Sequence, residues 1–201
     1  MHATDIVGGI ESYEAAPRLS RKVFTLIGLL AGLLSGPAVS PAAAQTGMDA
    51  RAVMAAFVHR FPQFVDWPES ALEGRDRFEI CVAADSDFLR RLQDLVADSE
   101  FEGRSVTVRA VGTRDLAGCH VLFVSAAEDN RVGSFIQAVA GLPVLTVSDA
   151  PGFLDESGMI ELRVIDRRIR FAVNAAAASQ AGLRSSAQLL ELALEVRGGG
   201  E

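Results

Sequence analysis

The start of this chain carries the pattern of a secretory signal peptide. Arg21 and Lys22 lead into the uncharged apolar run 23–34, and the small residues 42–44 stand just before Gln45. A positive start, a short apolar core and a small-x-small site are the three parts of such a peptide. The run is too short for a membrane-spanning helix, which takes about 20 residues. We therefore expect cleavage before Gln45 and a mature protein outside the cytoplasm; the alternative is an uncleaved N-terminal anchor.

Removal of the leader, residues 1–44, leaves residues 45–201, which have the size of one ordinary domain. The formal net charge is −7. An acidic chain has no general attraction for phosphate backbones or for anionic lipid. We therefore expect neither nucleic-acid binding nor direct membrane insertion after processing.

The sequence contains two cysteines, Cys81 and Cys119. In an oxidising compartment an even pair of cysteines indicates a possible disulfide. Such a bridge would stabilise the fold by roughly 3–4 kcal/mol, because it lowers the entropy of the unfolded chain. The alternative is a pair of buried free thiols that pack as small apolar side chains.

Helical and extended patterns alternate along the mature chain. Apolar residues recur every three or four positions in the predicted helices, which are 48–64, 86–98, 131–140, 175–181 and 186–196. Pro62 is expected to break or bend the first of these helices. Apolar runs predict strands at 78–84 and 119–124, the second of them buried on both faces, and two further strands are predicted at 105–111 and 143–147.

The pattern changes after residue 158. Apolar and polar residues alternate along 160–164 and again along 169–173, with a short link between the two segments. This alternation predicts an antiparallel hairpin with one face exposed to solvent. The predicted fold is a three-layer α/β/α sandwich whose sheet is mostly parallel and ends in a C-terminal antiparallel hairpin.

The sequence offers little that favours catalysis. His59 and His120 have no metal-ligating residue at a suitable spacing, and no dinucleotide, phosphate-binding or hydrolase motif occurs in the mature part. The prediction is a non-enzyme without a cofactor or a metal.

Four polar residues stand just beyond predicted strand ends, where open α/β sheets often hold ligands. They are Asp85, Asp87, Ser125 and Asp149. They have two interpretations: a crevice for a small solute or a cation, or caps for the helices that follow.

Three parts of the mature chain together resemble the YfiR-like (YfiR/HmsC-like) periplasmic proteins. Residues 56–68 are similar to the family's opening motif, F-x-x-x-F-x-x-F-V-x-W-P. Residues 79–82 and 119–125 are similar to its paired I-C-V and C-H-x-L-F-I-S strands. Residues 144–149, 158–160 and 170–186 resemble its C-terminal signature.

The resemblance implies a periplasmic repressor that binds the periplasmic sensor domain of an inner-membrane diguanylate cyclase. Inhibition of that enzyme would keep the level of cyclic di-GMP and the formation of biofilm low. The resemblance also implies that Cys81 and Cys119 pair and that redox state tunes repression. Some relatives carry a second cysteine pair that this chain lacks.

The partner-binding surface is expected around the hairpin and the alanine-rich helix that follows it. Ala172 shares a strand face with Arg170, and the alanines that include Ala178 give a helix with few protruding side chains. Phe153 and Ile160 are the larger anchors expected beside this flat surface. The alternative is that the alanines only let the helix pack close to the sheet.

A second function stays open at this stage: a periplasmic small-molecule sensor, or an accessory module of a histidine kinase or a TonB-dependent uptake system. In that case the strand-end crevice matters more than the alanine-rich helix. The sequence leaves the possibility of a homodimer open.

Overall fold

The computed structural model describes residues 49–83 and 85–198. The predicted signal peptide and its cleavage site lie outside these residues. In the described part, no helix has both the length and the apolar character needed to cross a bilayer.

Ten strands and six α-helices make up this part of the chain. The helices are α1 (Ala50–Arg60), α2 (Glu69–Leu72), α3 (Ser86–Val96), α4 (Val132–Ala138), α5 (Ala175–Gln180) and α6 (Ala187–Leu192). The strands are β1 (Val65–Asp66), β2 (Arg77–Ala83), β3 (Glu100–Phe101), β4 (Arg104–Val111), β5 (Val121–Val124), β6 (Leu145–Ser148), β7 (Ile160–Ile165), β8 (Arg168–Asn174), β9 (Arg184–Ser185) and β10 (Val196–Arg197).

Eight of these strands form one sheet in the order β10-β8-β7-β6-β5-β2-β4-β3. Neighbours are parallel except in the β7–β8 hairpin and at the β3–β4 edge. The two remaining strands, β1 and β9, form a small antiparallel pair. The mostly parallel sheet with its C-terminal hairpin confirms the fold class that the sequence predicts.

The centre of the sheet is buried on both faces. All four residues of β5 have 0% exposure, which explains why this strand is a continuous apolar run. Alternate side chains of β5 enter different core clusters: Phe123 lies in one and Leu122 in the other. Each buried aromatic or leucine side chain of this kind contributes about 1.5–3 kcal/mol by leaving water.

Helices α1 and α3 pack on one face of the sheet. Phe88, Leu92 and Val96 follow each other at intervals of four along α3, so they lie on one side of the helix and are buried. The ring of Phe88 stacks on the ring of Phe123 with 4.0 Å between centroids. Helix α4 covers the other face through Val132 and Phe135.

Pro62 ends the first helix, as predicted. Helix α1 ends at Arg60, and residues Phe61–Phe64 form a single turn of 3₁₀-helix with the proline in its first turn. The proline lacks the N–H that a continuing α-helix would need.

The structure corrects the prediction for the C-terminus. The predicted helix over 186–196 ends at Leu192, because Ala193 is extended (φ −72°, ψ 142°) and the Leu194 N–H bonds to the carbonyl of Phe171. The chain then forms the edge strand β10. The N-cap of α6 is Ser186, whose hydroxyl accepts the Leu189 N–H at 3.2 Å, while Ser185 lies in β9.

The side chain of His120 connects α2 to the sheet through two hydrogen bonds. Its Nδ1 accepts the backbone N–H of Glu79 at 2.9 Å, so its Nε2 carries the proton and donates to the Ala71 carbonyl at 3.1 Å. The ring is stacked on Phe78 at 4.6 Å and is 3% exposed. Burial lowers the pKa of His120, because the charged imidazolium would be desolvated.

We expect stability to fall as the medium becomes acidic. Below pH about 6.5 the unfolded chain takes up a proton that the buried imidazole of His120 resists, and protonation of Nδ1 would cancel its bond to Glu79. His120→Asn should lower the free energy of unfolding at pH 7 by about 2 kcal/mol. It should also flatten the decline between pH 7 and pH 5 in urea titrations.

His59→Asn is the comparison variant: burial also lowers the pKa of His59, but this side chain is only partly buried, so its replacement should flatten the decline less than His120→Asn does. A decline in stability that is as steep in His120→Asn as in the unmodified protein would contradict this role for His120.

Candidate partner-binding surface

Three of the polar residues predicted at strand ends meet at one edge of the sheet. Asp85 precedes α3, Ser125 follows β5 and Asp149 follows β6. The Ser125 hydroxyl lies 3.4 Å from Asp85 Oδ2. Asp87 does not join them: it is exposed on α3, where it pairs with Arg90 at 2.9 Å and Arg91 at 2.8 Å.

The side chain of Arg51 fills this strand-end crevice. Its guanidinium reaches down from α1, pairs with Asp85 and donates to Asp149 Oδ2 at 2.7 Å. The same guanidinium lies over the ring of Phe88, 5.5 Å from its centroid. Arg51 therefore supplies the positive charge that balances the two carboxylates of this crevice.

The two carboxylates also satisfy backbone donors. Asp85 accepts the Phe88 N–H at 2.9 Å and so caps α3, while Asp149 accepts the Ala126 N–H at 2.7 Å. Asp85 thus matches the capping interpretation, whereas Asp149 bonds a segment that precedes it in the chain. No group of three His, Cys, Asp or Glu side chains suited to a metal ion occurs among residues 49–83 and 85–198.

A disulfide joins Cys81 on β2 to Cys119, with the Cα atoms 5.8 Å apart. Cys81 is fully buried and Cys119 is 6% exposed. Arg109 strengthens the same connection: it pairs with Glu79 at 2.9 Å, donates to the Ala117 carbonyl at 2.9 Å and lies 3.5 Å from Cys119 Sγ. The bridge and Arg109 together hold the β4–β5 loop against the sheet.

The expected partner patch is buried. Exposure is 1% for Phe153, 1% for Ile160, 0% for Ala172 and 1% for Ala178. These four residues present no side-chain surface to a second protein in this structure, so the expectation that they form an exposed flat surface is wrong.

The segment between β6 and β7 explains why the outer face of the hairpin is covered. The Leu154 N–H contacts Glu161 Oε2 at 3.4 Å, and Glu161 is the register partner of Ala172. This segment is also tied down by an ion-pair chain: Arg163 pairs with Glu161 and Glu195, and Arg197 pairs with Glu195 and Asp155. The sequence pattern did not indicate that this segment would return over the hairpin face.

The alanines of α5 serve close packing. Ala178 faces the core, and Gly198 comes so near the helix that a Cβ at this glycine would lie 2.4 Å from the Cβ of Ala176. Gly198 also has φ +63°, a conformation that other residues rarely adopt. Small residues on both sides therefore let the C-terminal segment lie against α5.

The exposed apolar surface lies elsewhere. A groove of about 290 Å³ opens between α1, the 3₁₀ turn, β8 and α6; we call it the α1–α6 groove. Its walls include Phe57, Phe61, Phe64, Phe171, Leu189 and Leu192. Leu192 is 62% exposed at its rim, and Leu194, which is 49% exposed, follows it along the chain.

Sequence reasoning missed this groove for an identifiable reason. The phenylalanines of the first helix recur at helical spacing, which predicts a core face, and Leu189 lies within the predicted helix over 186–196. Their periodicity could not show that α6 stops at Leu192 and leaves a gap beside α1. The adjacent exposed leucines were the signal that could have indicated it.

Loss of Arg51 should destabilise the fold, because Asp85 and Asp149 would be left facing each other with side chains only 11% and 14% exposed. We expect Arg51→Met to lower the free energy of unfolding by about 1–3 kcal/mol in urea titrations. Adding Asp149→Asn should recover part of that loss, because it removes one of the two unpaired charges. A loss below about 0.5 kcal/mol would contradict this role of Arg51.

Comparison with known proteins places the chain in a family. The chain is similar to a crystal structure described as a conserved domain protein from Vibrio cholerae O1 biovar El Tor str. N16961, with a TM-score of 0.54 and 10% sequence identity. The likeness covers 73% of this chain and 60% of the other, so it supports the fold alone. A search of curated proteins gives no significant match. The model of the YfiR/HmsC-like family matches residues 51–194, most of the chain, and the protein therefore belongs to that family.

Proposed function

We propose that the protein is a periplasmic repressor that binds the periplasmic sensor domain of an inner-membrane diguanylate cyclase and thereby lowers cyclic di-GMP and biofilm formation. Membership in the YfiR/HmsC-like family supports periplasmic regulation of such an enzyme in general terms. The predicted signal peptide would place the protein in the same compartment as that domain.

The observation that carries the binding mode is the α1–α6 groove. Its volume of about 290 Å³ is at the lower limit of small-molecule sites. It is suited to one or two large side chains from another protein. Exposed leucines at the rim of an apolar cleft are typical of protein–protein contacts, in which a few buried anchors carry most of the binding energy.

The reactive groups that the sequence offered have structural roles in this fold. The cysteines form a disulfide, His120 bonds to two backbone groups, and Arg51 neutralises Asp85 and Asp149. These engagements favour regulation by contact over catalysis. The small-molecule alternative depended on the strand-end crevice, and Arg51 fills that crevice.

A single charge at the rim of the groove should weaken partner binding. Leu192→Glu places a carboxylate on a side chain that is already 62% exposed, so folding should be unaffected. Affinity for the purified sensor domain of the host's cyclase should fall at least about tenfold in calorimetric titrations.

Leu142→Glu is the matched control, since Leu142 is 45% exposed and is not among the residues that line the groove. Equal affinity for Leu192→Glu and Leu142→Glu would remove the groove from the proposal. A sensor domain that does not bind the unmodified protein would remove the proposed function.

A further inference from the structure

The tip of the β7–β8 hairpin has an unusual turn. Ile165 and Arg168 are paired across it, which leaves Asp166 and Arg167 as its two central residues. Both have left-handed backbone angles, with φ of +49° for Asp166 and +60° for Arg167. Two-residue turns of this kind favour Asn and Gly, so an arginine here holds a conformation that disfavours its side chain. Strained positions of this kind often belong to functional surfaces.

The same hairpin carries a cluster of arginines. Arg167, Arg168 and Arg170 are exposed, and none of them lies within ion-pairing distance of an acidic side chain among the described residues. Arg163, the register partner of Arg170, differs because Glu161 and Glu195 neutralise it. A chain with a net charge of −7 thus displays three unpaired arginines within four residues.

The hairpin has an apolar side that leads toward the α1–α6 groove. Val164 is 58% exposed and is paired with Ile169, whose side chain lies on the same strand face as Phe171 in the groove wall. The apex itself is charged, because Asp166 and Arg167 occupy it. A charged apex on an acidic protein disfavours insertion into a lipid surface, whereas a mixed apolar and cationic ribbon is suited to a protein surface.

We infer that residues 164–170, the basic hairpin, recognise an acidic patch on a protein partner that spans the hairpin, because Arg168 and Arg170 lie on one strand face and Phe171 of the α1–α6 groove lies on the other. This inference rests on the proposed function, because the partner is the sensor domain of the cyclase. The three arginines speed and align the encounter, while the groove supplies the apolar contact. Arg167 keeps its strained position because its guanidinium belongs to the recognition surface.

Charge reversal at the hairpin tests the inference most simply. Arg168→Glu with Arg170→Glu, in the protein purified from the periplasm, should weaken binding to the sensor domain about tenfold or more at low salt, mainly through slower association. Binding by the unmodified protein should weaken as salt is raised, and the variant should lose most of that dependence. The matched control is Arg77→Glu with Arg114→Glu, an equal charge change at two exposed arginines outside the hairpin, which should leave binding unchanged.

A second pair of variants separates recognition from folding. Arg167→Gly relieves the strained angle, so the midpoint of thermal unfolding should rise by about 2 °C while binding weakens. Asp166→Gly relieves the neighbouring angle and keeps all three arginines, so stability should rise without loss of binding. A purely structural tip would give the same binding for both variants.

The outcomes identify which proposal fails. If the unmodified protein binds the sensor domain and the doubly reversed variant binds equally well, the hairpin inference is overturned and the proposed function stands. If the arginines are needed for sedimentation with phosphatidylglycerol vesicles but not for binding to the domain, the ligand is lipid and the inference is likewise overturned. If the unmodified protein does not bind the domain, both proposals fall.

Discussion

Burial of the central parallel strands on both faces is the constraint on which the structure depends. β5 and β6 are buried along their whole length, and residues 80–83 of β2 are buried as well. A buried polar group without a hydrogen-bond partner costs free energy. The polar groups at the ends of these buried strands therefore need partners. Arg51, Asp85 and Asp149 meet this need at the carboxyl ends, and His120 meets it at the amino end of β5. The Cys81–Cys119 disulfide links β2 to the residues that directly precede β5.

This constraint also explains how much could be predicted from the sequence. The central strands and the hairpin were predictable, because continuous and alternating apolar patterns depend only on whether one or both strand faces are buried. Two-residue strands such as β1, β3, β9 and β10 carry no such period. The end of α6 depends on a bond from Leu194 to Phe171, a partner that is distant in the sequence. The role of Arg51 was equally hidden, since an arginine near a helix start is usually solvated.

The candidate site, like the fold, could be predicted only in part. The strand-end residues were found because parallel strands bring their carboxyl ends together, although the sequence could not separate a ligand crevice from a set of caps. The expected patch at Phe153, Ile160, Ala172 and Ala178 was wrong because strand alternation gives a side chain's face but not what covers that face. The segment before β7 covers it. The sequence missed the α1–α6 groove because a groove is a gap between elements, and periodicity describes only one element at a time.

These findings favour a protein that acts through its surface. The polar residues near the strand ends are occupied by internal bonds, while the α1–α6 groove and the basic hairpin leave apolar and cationic surface available to a partner. Separate surfaces for apolar contact and for electrostatic orientation are common in protein interfaces, where the first governs dissociation and the second governs association.

The central claim, regulation by contact on the periplasmic side, is tested most directly by the cellular level of cyclic di-GMP in the native host. Deletion of the gene should raise that level, and the full-length chain should restore it. The same chain without residues 1–44, retained in the cytosol at equal abundance, should not restore it. Restoration by the cytosolic chain, or no rise on deletion, would contradict the account.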